Sequence, residues 1–161
     1  MATTNEILAA VRERLAILPL AAELWPEHHE KYRLNHPVGA ALVGYAGARF
    51  DNTRDVGVCI QDRDMIIPVI LCFRQLNGAN GAIDMLDRVR TLLLGFAPPD
   101  CGKIFLQAEK FAGEEDRVWW YQLDVACRTI AVNASSSSAT VSQCVAGSST
   151  LITMTVPYPW S

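Results

Sequence analysis

The sequence predicts an α/β (α+β) fold in which a mixed or mostly antiparallel sheet is flanked by two main helices. Three stretches predict it. The run Met65-Ile66-Ile67-Pro68-Val69-Ile70-Leu71-Cys72-Phe73 is apolar at nearly every position, as expected of a strand buried on both faces. Behind the turn Asn77-Gly78-Ala79-Asn80-Gly81, the residues Ala82, Leu86, Val89, Leu93 and Phe96 recur at helical spacing, with Asp84, Asp87, Arg88 and Arg90 on the other side. Further on, Trp119, Tyr121, Leu123, Val125 and Cys127 alternate with Trp120, Gln122, Asp124 and Arg128, which predicts a strand with one buried face.

The remaining elements follow in chain order. Thr3 and Glu6 match a capping box, and Ile7, Leu8, Val11, Leu15 and Leu18 form the apolar stripe of a first helix that ends by Pro19. Leu20 to Leu24 predicts a short strand. Trp25 to Tyr32 is polar and predicts a loop or a short surface helix. Val38 to Tyr45 predicts a strand whose small residues admit a closely packed helix, and Val56 to Ile60 predicts another. In the second helix Asn80 is the expected N-cap and Gly95 the expected stop. After Pro98-Pro99-Asp100-Cys101-Gly102 a strand begins at Ile104 and reaches Glu109, and Gly113 to Asp116 form an acidic hairpin loop. The returning strand is expected to end near Thr129 or Ile130.

With 161 residues, the chain has room for one core. The expected folded domain covers residues 1–132. Residues 133–150, rich in Ser, Ala, Thr and Gly, predict a flexible linker, and 151–161 a strand-like extension in which Ile152, Met154 and Val156 share one side. A net charge of −3 and the scattered lysines Lys31, Lys103 and Lys110 argue against a nucleic-acid binder, which needs clustered cations. No stretch has the length and apolarity of a membrane span, and no secretory signal is expected. Five cysteines without paired spacing fit a reducing compartment; Cys59, Cys72 and Cys127 sit in strand-like runs as small hydrophobes, while Cys101 and Cys144 lie in looser segments.

No motif converges on catalysis. His28, His29 and His36, beside Glu27 and Glu30, lack the spacing of a metal site, so neither metal nor cofactor is expected. Cys101, between Asp100 and Gly102, carries no activating signature. The glycines before the second helix lack the Lys-Ser/Thr of a phosphate loop. The rival readings are a small metal- or thiol-dependent hydrolase using His28, His29, Cys101 or the acidic loop, and a monomeric ligand-binding module with a large apolar pocket. Trp120, on the polar side of its strand, is the kind of residue enriched where proteins meet.

Several stretches together resemble a known family. They are Tyr32-Arg33-Leu34-Asn35-His36-Pro37, Val43-Gly44-Tyr45-Ala46-Gly47-Ala48-Arg49-Phe50, Gln61-Asp62-Arg63, Leu86-Asp87-Arg88-Val89-Arg90 through Leu94-Gly95-Phe96-Ala97-Pro98, Glu109-Lys110-Phe111 and Glu114-Glu115-Asp116-Arg117-Val118-Trp119-Trp120-Tyr121. In this order they resemble the tail terminator, or tail completion, proteins of Mu-like phages, prophages and phage-tail-like injection particles, over about the first 130 residues. The resemblance implies a structural assembly protein and no enzyme. It implies a hexameric ring that ends tube or sheath polymerisation at the head-proximal end of a contractile tail. The partners would be further copies of the chain, the tail tube, and sheath or neck proteins. Assembly would take place in the bacterial host cytoplasm, before incorporation into the virion or tail-like particle. The residues after Asn133 depart from the family pattern. For the subunit contacts, Glu114, Glu115, Asp116 and Arg117 with Trp120 are expected on one side, and Arg49, Arg63 and Arg74 as opposite-sign partners.

Overall fold

Strand β4, Ile60–Phe73, and strand β6, Val118–Val132, lie side by side along their whole length, from Ile60 opposite Val132 to Phe73 opposite Trp119. They form the spine of the computed structural model, which describes residues 1–54 and 57–133. The other elements are helix α1 (Thr4–Leu15), strands β1 (Ala21–Leu24), β2 (Gly39–Val43) and β3 (Gly47–Phe50), helix α2 (Ala82–Leu93) and strand β5 (Phe105–Glu115). The six-stranded sheet has the order β1-β2-β4-β6-β5, and β3 also pairs with β4, beyond the end of β2. Only β1 and β2 run parallel; every other pair is antiparallel. The α+β class predicted from the sequence is the one observed.

Pro68 shows how the register is reconciled with the sequence. A proline in a central strand normally costs a ladder bond. Here the Pro68 carbonyl accepts from the Gly44 amide at 2.9 Å, so the missing N–H points the same way, toward the gap between β2 and β3. The strand continues through the proline because its neighbour is interrupted there.

Both helices pack on one face. Ile7, Val11 and Leu15 of α1 and Ala82, Met85, Leu86, Val89 and Leu93 of α2 share a cluster with Met65, Ile67, Val69, Leu71 and Phe73 of β4 and Leu123, Val125 and Cys127 of β6. The β4 residues in between, Ile66, Pro68 and Ile70, are only half-buried. The expectation that water reaches neither face of this run is therefore corrected: antiparallel neighbours allow a sheet to be covered on one side alone.

The capping box at Thr3 and Glu6 forms as expected, but α1 ends at Leu15, four residues before the proline, and Leu18 enters the core from the loop. The N-cap of α2 is Gly81, not Asn80, which has a φ of 61°. The orphan amides of Ala82 and Ile83 donate instead to the carbonyls of Gln75 and Leu76, at 2.7 and 3.3 Å. A Cβ at Gly81 would lie 2.8 Å from the carbonyl groups of Leu76 and Asn77, so the close approach needs glycine. Gly95, at φ 82°, ends the helix as expected.

Three strand boundaries also differ. Residues 57–59 precede the start of β4 and are not in a strand; Val56 lies outside the described residues. Cys59 is consequently exposed, whereas Cys72 and Cys127 are buried as expected. Strand β5 runs six residues past Glu109, and β6 ends at Val132, beyond Thr129 and Ile130. The expected linker from residue 134 on, Cys144 and the 151–161 extension lie outside the described residues.

Candidate assembly surface

The β5–β6 hairpin closes in two residues, Asp116 and Arg117, with φ of 52° and 63°. Positive φ at both central positions is the mirror-image turn that matches strand twist. Glu114 and Glu115, expected in the loop, are instead paired with Trp119 and Val118 as the last residues of β5. The Glu114 carboxylate accepts from the Arg117 amide at 2.9 Å and braces the turn.

On the face opposite the helices, residues 25–37 fold over the end of the sheet. They contain one turn of 3-10 helix, His29–Lys31. Arg74 at the end of β4 holds this segment, with Nε donating to the His36 carbonyl at 2.8 Å and Nη2 to that of Leu34 at 2.7 Å. The imidazole Nδ1 of His36 accepts from the amides of Val38 and Gly39 at 3.1 and 3.3 Å, and the His29 ring lies 5.9 Å from that of Trp25. Both histidines thus serve local structure. Tyr32 meets Trp120 edge-on at 6.3 Å. Burial, with the adjacent Cys72 and Glu23, pushes its phenol pKa well above the usual range.

Between this segment and the hairpin lies a groove of about 910 Å³. Leu42, Ile70, Trp120 and Gln122 line it from the sheet, Trp25, Tyr32, Arg33, Leu34 and Arg74 on one side, and Gly113, Glu114, Glu115, Asp116 and Val118 on the other. Of the predicted contact residues, Arg74, Glu114, Glu115, Asp116 and Trp120 therefore share one surface. Arg117 occupies the turn beside it. Tyr32, Trp25 and Ile70 were not anticipated; an aromatic pair bracketing a polar stretch was the only signal available for the first two.

Arg49 and Arg63 lie elsewhere, toward the start of β4. Arg63 Nη2 donates to Thr4 Oγ1 at 3.0 Å and to Tyr45 Oη at 2.8 Å, and its guanidinium stands 5.6 Å over the Tyr45 ring. Arg49 is exposed, and its charge helps lower the Asp64 pKa. The first cause of that lowering is Arg128, whose Nε and Nη2 grip the two Asp64 oxygens at 2.7 and 2.9 Å. Arg54 likewise pairs with the buried Asp62. Arg128 and Arg54 thus neutralise carboxylates of β4, whereas Arg63 is held by hydroxyl groups and a ring.

The Gp37 protein family matches residues 8–143, from α1 through the whole sheet. The chain belongs to this phage-related family. No curated protein matches this chain. Among solved structures it is similar to a chain of the virion of a native gene transfer agent (GTA) particle, at 17% identity and a TM-score of 0.49, covering 81% of this chain and 98% of that one. Among the described residues, no helix of this chain is long and apolar enough to cross a membrane.

Proposed function

We propose that the chain is a structural, non-enzymatic subunit of a phage tail or phage-tail-like contractile particle. In this reading it closes the head-proximal end as a ring, a hexamer by the family resemblance, and ends polymerisation of the tube or sheath. Its partners are copies of itself and the adjoining tube, sheath or neck proteins, met in the host cytoplasm and retained in the particle.

Membership in a phage-related family supports the setting. The observation that carries the assembly role is the second face of the sheet. It bears a groove with half-buried aromatic rings and an acidic hairpin, while the first face is filled by both helices. Half-buried aromatics in a concave surface are what interfaces use. The thiol-hydrolase alternative is disfavoured by Cys101, whose pKa is raised mainly by burial, the opposite of an activated nucleophile.

Sedimentation and negative-stain imaging of the purified full chain test the proposal. Closed rings at micromolar concentration support it. A uniform monomer, including in the presence of tail-tube protein, overturns it.

A further inference from the structure

Among the described residues, Arg49 and Phe50 form a corner that no element covers. Among the described residues, strand β3 pairs only with β4, which leaves its outer edge without a strand partner there. Phe50 is 53% exposed and the neighbouring Tyr45 43%. The register sets Arg49 beside Asp64 and Phe50 beside Arg63, so the two side chains leave the edge on opposite faces. The Arg49 side chain makes no hydrogen bond or ion pair among the described residues beyond its influence on Asp64. Tyr45 is fixed by Arg63, which makes the corner a preset shape.

The groove has the opposite character. Its acidic lining, Glu30, Glu114, Glu115 and Asp116, outnumbers Arg33 and Arg74, and Arg74 is already engaged with two carbonyls of its own chain. Glu115 makes no hydrogen bond or ion pair with a side chain among the described residues. Corner and groove lie toward opposite ends of β4, about six to ten residues or roughly 20–30 Å apart at strand rise.

We infer that the β3 corner of one copy docks into the groove of the next. Its open edge enters between the two walls, with Arg49 against Glu115 and Asp116 and Phe50 against the aromatic wall of Trp25 and Tyr32. Two complementary surfaces at opposite ends of a subunit make a head-to-tail contact, which closes into a ring when its rotation permits. This contact rests on the ring proposed above and gives it a direction. Of the three arginines expected at the contact, it selects Arg49.

The test is the concentration for half-assembly of the full chain, measured by analytical ultracentrifugation. Arg49→Glu and Glu115→Arg should each raise it about tenfold or more, the double variant should recover most of the loss, and Lys103→Glu, an equal charge change outside both surfaces, should leave it unchanged. Melting midpoints of the variant monomers should match wild type. Wild-type rings that form equally well with either substitution, or a double variant no better than the singles, overturn the contact while leaving the ring. A basic segment of another protein as the true occupant would give the first of these results. A wild-type chain that never assembles overturns the ring and the contact together.

Discussion

The two faces of the sheet are built by the same strands and differ in almost everything else. On the helix face, Met65, Ile67, Val69 and Leu71 are completely buried. In between, Ile66, Pro68 and Ile70 have the same apolar chemistry and are only half-buried. The helix face is closed by two helices of the same chain, tied to each other where Arg14 Nε donates to the Leu92 carbonyl at 3.2 Å and its guanidinium lies 5.2 Å over the Phe96 ring. Among the described residues, the other face is closed only at one end, by the segment that Arg74 holds down. On the proposed assembly, apolarity in a strand marks what is buried between subunits as well as what is buried within one, and burial in the isolated chain separates the two.

The comparison is broken most directly by paired truncations in β4. Leu71→Ala removes a fully buried side chain from the main cluster and should cost about 2–5 kcal/mol of unfolding free energy. Ile70→Ala, on the half-buried face, should cost only about 1 kcal/mol in the isolated subunit. Urea denaturation of both variants checks this, and equal losses would mean that the second face is as tightly packed as the first. Gly39→Ala should come next, at roughly 1–3 kcal/mol, because a Cβ there would lie 2.4 Å from the Cys72 carbonyl oxygen and 2.5 Å from the Phe73 ring. Gly39 thus makes room for a strand neighbour's ring, while Ala41 and Val43 of β2 share the core cluster with α1, the close helix contact the sequence suggested.

Cysteine labelling sharpens the comparison without changing a residue. Cys127 faces the helices and Cys72 the other side, beneath the 25–37 segment; burial raises their thiol pKa values to about 12 and about 11. At pH 8 an alkylating reagent should modify exposed Cys59 first. Cys72 should follow as its covering segment opens locally, and Cys127 only with global unfolding. Simultaneous modification of Cys72 and Cys127 would show that the segment is as firmly held as the helices.

The smallest effect is electrostatic. Hydrogen bonds from Arg128, and then opposing desolvation and further cation charge, leave the Asp64 pKa below its ordinary 3.8. A lowered folded-state value means that the pair stabilises the fold fully above pH 4 and less as pH falls through the folded value. Asp64→Asn should flatten that acid limb of the stability profile, with a loss that is largest at neutral pH, absent in strong acid and small throughout, because the Arg128 side of the pair is exposed.

How much of this was legible in the sequence follows from the same division. Patterns decided by one chain's own burial were readable: the α2 stripe, the capping box at Thr3, and the alternation from Trp119 to Cys127. Boundaries decided by pairing were less so. Strand β3 carries no alternating signal, since both Arg49 and Phe50 are exposed and it exists because β4 offers an edge beyond the end of β2. The reach of β5 to Glu115 is fixed by the tight turn at Asp116 and Arg117, which has no glycine to announce it. The groove residues were legible in part: the acidic hairpin and Trp120 stood out by charge and by being an aromatic on a polar side. Tyr32 and Ile70 did not, because nothing local indicates that residues 25–37 fold back over β4. The grouping of the arginines was not legible either, for Arg63 and Arg74 are spent on partners distant in sequence.

The central claim is that the second face is completed by another copy. Hydroxyl-radical footprinting of the aromatic side chains, in the monomer and then under assembling conditions, tests it most directly. Tyr32 and Trp120 in the groove and Phe50 on the corner should lose reactivity together on assembly, while Phe96, beside the helices, should be unchanged. Assembly that protects neither Trp120 nor Phe50 would contradict the account.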